Sequence, residues 1–67
     1  MKLSARNQLK GTVRAVNLGN VMAEITIDVG GQEIVSVITR RSAERLNLQT
    51  GDEVVAIIKS TEVLIGK

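Results

Sequence analysis

The sequence predicts a mainly β domain of five strands, with one short helix between the third and fourth. Three features carry that reading. Apolar and polar residues alternate with period two through much of the chain, glycine-containing steps separate the alternating segments, and Thr39 to Leu46 alone carries helical spacing. The 67 residues have room for a single domain, 1–67.

Leu9, Gly11, Val13 and Ala15 alternate with Gln8, Lys10, Thr12 and Arg14, which predicts the first strand. Gly19-Asn20 reads as a hairpin turn, because both residues tolerate positive φ. The second strand has the clearest pattern: Val21, Ala23, Ile25, Ile27 and Val29 alternate with Met22, Glu24, Thr26 and Asp28. Gly30-Gly31 marks the next turn. In the third strand, Glu33 to Thr39, the residues Ile34, Val35, Val37 and Ile38 put apolar groups on both faces. One face suits the core, and the other calls for a cover, either a second subunit or a packed helix. Thr39 is then an N-cap for a short helix reaching Leu46, with Ala43 and Leu46 on one side at i, i+3. Thr50-Gly51-Asp52 turns the chain into a fourth strand, Glu53 to Lys59, and Glu62 to Ile65 is expected to form the fifth. That order is the order of a small OB-like barrel, whose closure would remove exposed sheet edges.

Composition limits both stability and chemistry. A core of this size barely offsets the entropy of ordering the chain, so small domains usually add disulfides, a metal or a partner chain. Cysteine and histidine are both absent, which excludes disulfides, Cys/His zinc sites, Ser-His-Asp triads and histidine acid/base catalysis. Self-association remains as the way to bury more surface. It fits a composition that is 43% hydrophobic with no aromatic residue. Ser60 beside Lys59 does not make a Ser-Lys nucleophile, since neighbouring strand residues face opposite ways, and no enzyme is expected. The longest apolar run, Val54 to Ile58, is too short to span a membrane. No signal-peptide apolar region follows Met1-Lys2-Leu3, and a cytoplasmic location is expected.

Nine basic residues against seven acidic ones give a net charge of +2, too mild to announce a polyanion partner. OB barrels that bind single-stranded nucleic acid stack bases on aromatic side chains, and this chain has none. Arg40, Arg41 and Arg45 cluster near the helix and could stack, but read as a solvated face. Two other segments concentrate hydrogen-bond donors without any carboxylate: Ser4-Ala5-Arg6-Asn7 and Lys59-Ser60-Thr61. Such a set suits an anion that only accepts hydrogen bonds, such as the dianions molybdate, tungstate or sulfate. Phosphate keeps a proton near neutral pH and would need an acceptor. The helix start adds the hydroxyls of Thr39 and Ser42 beside backbone N–H groups.

Ser4-Ala5-Arg6-Asn7-Gln8-Leu9-Lys10-Gly11 and Ile58-Lys59-Ser60-Thr61-Glu62-Val63 closely resemble the opening and closing motifs of the molbindins. These are the small Mop, or molybdenum-pterin-binding-type, proteins. Their domain also occurs in molybdate-responsive transcription regulators and in molybdate transporter ATPases. The resemblance covers essentially the whole chain. It implies an OB-like barrel that assembles into a homohexamer, a trimer of dimers, with molybdate or tungstate held between subunits. By position, Ser4, Arg6, Lys59 and Ser60 match the family's oxyanion contacts, and Thr39, Ser42 and the Ala43 backbone N–H match those at the helix start. Asn20 and Val21 are candidates for a second type of site. The function implied is intracellular storage or homeostasis of the oxyanion, without catalysis and without a catalytic metal. Arg40 to Val55 also resembles the AbrB-type swapped-hairpin DNA-binding regulators, but those would not require the Ser-Ala-Arg-Asn and Lys-Ser-Thr motifs.

Overall fold

A computed structural model describes all 67 residues. The elements run β1 (Asn7–Leu18), β2 (Met22–Val29), β3 (Gln32–Thr39), α1 (Arg40–Arg45), β4 (Glu53–Ile58) and a 3₁₀ turn over Ser60–Glu62. The strands form one antiparallel sheet in the order β3-β2-β1-β4.

The alternation in β2 acts as its sequence predicts. Ala23, Ile25 and Ile27 are buried and face Ile38, Ser36 and Ile34 of β3 across the ladder. Val54 and Ala56 of β4, with Val13 and Val16 of β1, complete the same side. Gly30 and Gly31 both take positive φ (58° and 88°), the requirement of a two-residue hairpin turn whose twist matches its strands. The Gly19-Asn20 turn forms as well, but neither residue enters positive φ. Four residues separate the paired Leu18 and Ala23, and the Gly19 N–H donates to the Met22 carbonyl (2.7 Å), so the longer link closes with ordinary backbone angles.

β1 departs from its simple alternation. Val13 pairs with Ile27 and Ala15 with Thr26, which leaves Arg14 as the extra residue of a β-bulge. The bulge shifts the phase by one, so Val16 takes the inner place that the pattern assigns to Ala15. Its cause is tertiary. The Val13 N–H donates to the Asp52 carbonyl and the Val13 carbonyl accepts from the Gly51 N–H, both at 2.8 Å, so the turn before β4 takes both Val13 backbone groups.

The helix starts on Thr39 as expected, its Oγ1 accepting from the Ser42 N–H (3.1 Å). It ends in a Schellman motif. The Leu48 N–H donates to Ala43 O and the Asn47 N–H to Glu44 O, with Asn47 at φ 50°. Six residues cannot hold a helix alone. Buried Ala43 and the packed Leu48 anchor it to the core.

The expected fifth strand and the closed five-stranded barrel are not formed within the chain. Ser60–Glu62 winds into the 3₁₀ turn, with the Glu62 N–H donating to the Lys59 carbonyl (2.9 Å). Residues 63–67 then leave without pairing, and β3 and β4 stay at the two ends of an open sheet. The apolar run Val63-Leu64-Ile65 suits a strand, but a strand also needs an edge within reach. The apolar outer face of β3 is present: Val35 and Val37 are exposed, while Ile34 and Ile38 pack inward.

Candidate oxyanion-binding site

β1 and β4 bring the two ends of the chain together. Asn7 pairs with Ile58, so Ser4–Arg6, just before β1, lies beside Lys59–Thr61, just after β4. Between them is a cleft of about 420 Å³ lined by Ser4, Ala5, Ile57, Lys59, Ser60 and Thr61. Gln8 Nε2 donates to the Ala5 carbonyl (2.6 Å) and holds the leading segment against β1, while the 3₁₀ turn folds Ser60 and Thr61 back beside Lys59.

The cleft's chemistry is one-sided. Lys59 contributes a charge with three donors, Ser4, Ser60 and Thr61 contribute hydroxyls, and no Asp or Glu lines the wall. The chain's ion pairs are Arg14–Asp28, Arg14–Glu33 and Arg40–Glu44, so Arg6 and Lys59 carry no carboxylate partner. No group of three or more His, Cys, Asp or Glu residues is placed to hold a metal cation. Arg6 is exposed next to the cleft, outside its lining. Thr61 lines the cleft too, although it is not among the positions matched to the family's oxyanion contacts. Its signal was the hydroxyl in Lys59-Ser60-Thr61, and its inward turn depends on the 3₁₀ geometry.

Thr39, Ser42 and Ala43 form a separate group at the helix start and do not line this cleft. Thr39 Oγ1 donates to Ser42 Oγ (2.8 Å) while accepting the Ser42 N–H. Its one hydroxyl proton is therefore used locally, and Ser42 keeps its own hydroxyl proton to give. Ala43 is buried, so its side chain serves the core and only its N–H can serve a ligand. Asn20 and Val21 lie beside this group, because the Arg40 N–H donates to the Val21 carbonyl (2.8 Å) and Arg40 Nη1 to the Gly19 carbonyl (3.3 Å). Replacing Thr39 with alanine removes the cap and is expected to lower stability by about 1 kcal/mol. Urea unfolding at unchanged m-value checks this, with Thr39→Ser close to wild type.

Comparison with known proteins places the chain in a family. The family model for the TOBE domain matches residues 3–65. The chain is 48% identical over 66 residues to molybdenum-pterin-binding protein 3 of Clostridium pasteurianum, covering 97% of each. It is 42% identical to the molybdenum transport protein ModE of Herbaspirillum seropedicae, where it covers 97% of its own length and 24% of that protein. Among solved structures, a molybdate-binding protein from Sporomusa ovata superposes with a TM-score of 0.95 at 45% identity, over 100% of both chains. Matched nearly end to end by the family model and by a full-length relative, the chain belongs to the TOBE-domain family, as one of its molbindins.

Proposed function

We propose that this protein binds molybdate or tungstate at contacts between its own subunits and holds the oxyanion as a cytoplasmic store, without chemical transformation. The observation that carries the reading is the cleft of Lys59, Ser4, Ser60 and Thr61, which offers donors and no acceptor carboxylate. A fully ionised tetrahedral dianion can use every one of those donors. A protonated phosphate leaves its own O–H without an acceptor carboxylate. The names of the molybdenum-pterin-binding relative and of the molybdate-binding structural neighbour support the same ligand class.

The separation of the two donor groups supports a site between subunits. Ser4, Arg6, Lys59 and Ser60 stand at one end of the β1–β4 pair, whereas Thr39, Ser42 and Ala43 stand at the helix start. A second chain can bring its helix start against the first chain's cleft, and a homohexamer built as a trimer of dimers repeats that contact. Native mass spectrometry with molybdate, tungstate, sulfate and phosphate tests the reading. The expected result is a multimer of up to six chains that retains molybdate and tungstate in fixed ratio and does not retain phosphate. A monomer that retains neither oxyanion refutes it.

The DNA-binding alternative rests on Arg40, Arg41 and Arg45. Arg40 is already engaged with Glu44 (3.7 Å) and the Gly19 carbonyl, which leaves two cations. A gel shift at stated salt is expected to show no complex that weakens as salt rises.

A further inference from the structure

We propose that Gln8 is a positioning residue for the oxyanion cleft: it touches no ligand, and through one hydrogen bond to the Ala5 carbonyl it sets Ser4 and Arg6 in place for the anion. The inference rests on the oxyanion reading of the cleft and deepens it.

Residues 1–6 precede β1 and include both Ser4 and Arg6. The ladder to β4 begins only at Asn7, opposite Ile58. No backbone–backbone hydrogen bond in the turns, loops or caps reaches residues 1–6, and Arg6 makes no ion pair. One hydrogen bond ties the segment down, from Gln8 Nε2 to the Ala5 carbonyl at 2.6 Å. No other side-chain hydrogen bond of the chain involves this segment. The point of attachment lies between the two donors. Ala5 is half-buried and lines the cleft with Ser4, and its carbonyl belongs to the planar peptide that leads into Arg6. Fixing that peptide aims Arg6 directly and Ser4 through one residue.

The other wall needs no such tether. Lys59–Thr61 follows β4 without a break and is closed by the Glu62 N–H donating to the Lys59 carbonyl (2.9 Å). One side of the cleft is therefore held by backbone bonds and the other by a single side chain. Gln8 suits that task. Its backbone sits in β1 opposite Ile57, a lining residue, while its side chain is exposed and stays outside the lining. A loose leading segment would lose its conformational freedom on binding the anion, whereas a tethered one has lost it already on folding.

Gln8→Met tests this, since methionine keeps the side chain's length and removes the donor. Titration calorimetry with molybdate is expected to show affinity about 3- to 10-fold weaker than wild type, the equivalent of one neutral hydrogen bond. The urea midpoint is expected to stay where it is, because the bond lies outside the strand ladder. In a Ser4→Ala/Arg6→Ala background the same substitution is expected to cost nothing further, since the two residues it positions are gone. Backbone relaxation of the ligand-free protein decides the case in which that background binds too weakly to titrate. Ala5 and Arg6 are expected to be ordered in wild type and to fall below an order parameter of about 0.6 in Gln8→Met, with Leu9 and Lys10 unchanged. Equal affinity of Gln8→Met and wild type, a full loss that persists in the double background, a midpoint that falls with the affinity, or unchanged order at Ala5 and Arg6 would each overturn the proposal. A wild type that binds no molybdate refutes the reading of the cleft and this proposal with it, and that failure is visible before any substitution is made.

Discussion

Lys59→Ala is expected to weaken molybdate binding about 10- to 150-fold, and Arg6→Ala to act in the same direction within the same range. The range follows from the 1.5–3 kcal/mol typical of a hydrogen bond to a charged group, at about 1.4 kcal/mol per factor of ten. Lys59 lines the cleft, makes no ion pair, and as N-cap of the 3₁₀ turn makes no side-chain capping bond. Its extended backbone (φ −63°, ψ 131°) is open to alanine, so the fold should survive with an unchanged melting temperature. Arg6 adjoins the cleft, and its guanidinium fork has no internal acceptor to compete with a ligand. Thr61→Ala removes a neutral hydroxyl and should cost less, about 0.5–1.5 kcal/mol. Isothermal titration calorimetry checks all three. Equal affinity in wild type and Lys59→Ala would remove this cleft from the site.

Gly11→Ala is expected to destabilise the fold by about 3 kcal/mol, the upper end of the overpacking range. A Cβ at Gly11 would lie 2.6 Å from the Asp28 carbonyl oxygen, 2.7 Å from Ile27 Cγ2 and 2.9 Å from Val29 Cγ2. Two of these neighbours are methyls of β-branched side chains with little rotamer freedom. The third is backbone of β2, held by the Asp28–Glu33 pairing to β3. Strands must move to admit the methyl. A domain of this size holds roughly 3–10 kcal/mol in total, so the loss is a large share of its stability. Gly66→Ala is the control, since nothing lies within 4 Å of its added Cβ and its φ is not positive. Urea unfolding should separate the two variants clearly. Coincident midpoints for Gly11→Ala and wild type would show that β1 and β2 are not packed as closely as described.

Much of this could be read from the residues in order. Alternation marks a property each strand carries by itself, which is why the four strands, the Gly30-Gly31 turn and the two-faced apolar pattern of β3 were legible. The Thr39 cap was legible for the same reason: its partner, Ser42, is three residues away. The candidate site was legible as chemistry, in two donor-rich segments without carboxylates. That Ser4 and Lys59–Thr61 share a cleft while Thr39, Ser42 and Ala43 stand apart was not, because it depends on the Asn7–Ile58 pairing across some fifty residues.

By itself, then, the order of side chains determined which segments are strands, where the helix is capped, and which two segments concentrate hydrogen-bond donors without a carboxylate. Only the tertiary structure decided the bulge at Arg14, the turn of Thr61 into the cleft, and the release of Val63–Ile65 from the sheet. Each of these turns on where a backbone N–H or carbonyl finds its partner. Val13 gives both of its groups to the Gly51–Asp52 turn, and the 3₁₀ turn spends the carbonyls of Lys59 and Ser60 locally. Side-chain periodicity carries no information about such distant or competing partners, since every residue but proline offers the same pair of groups.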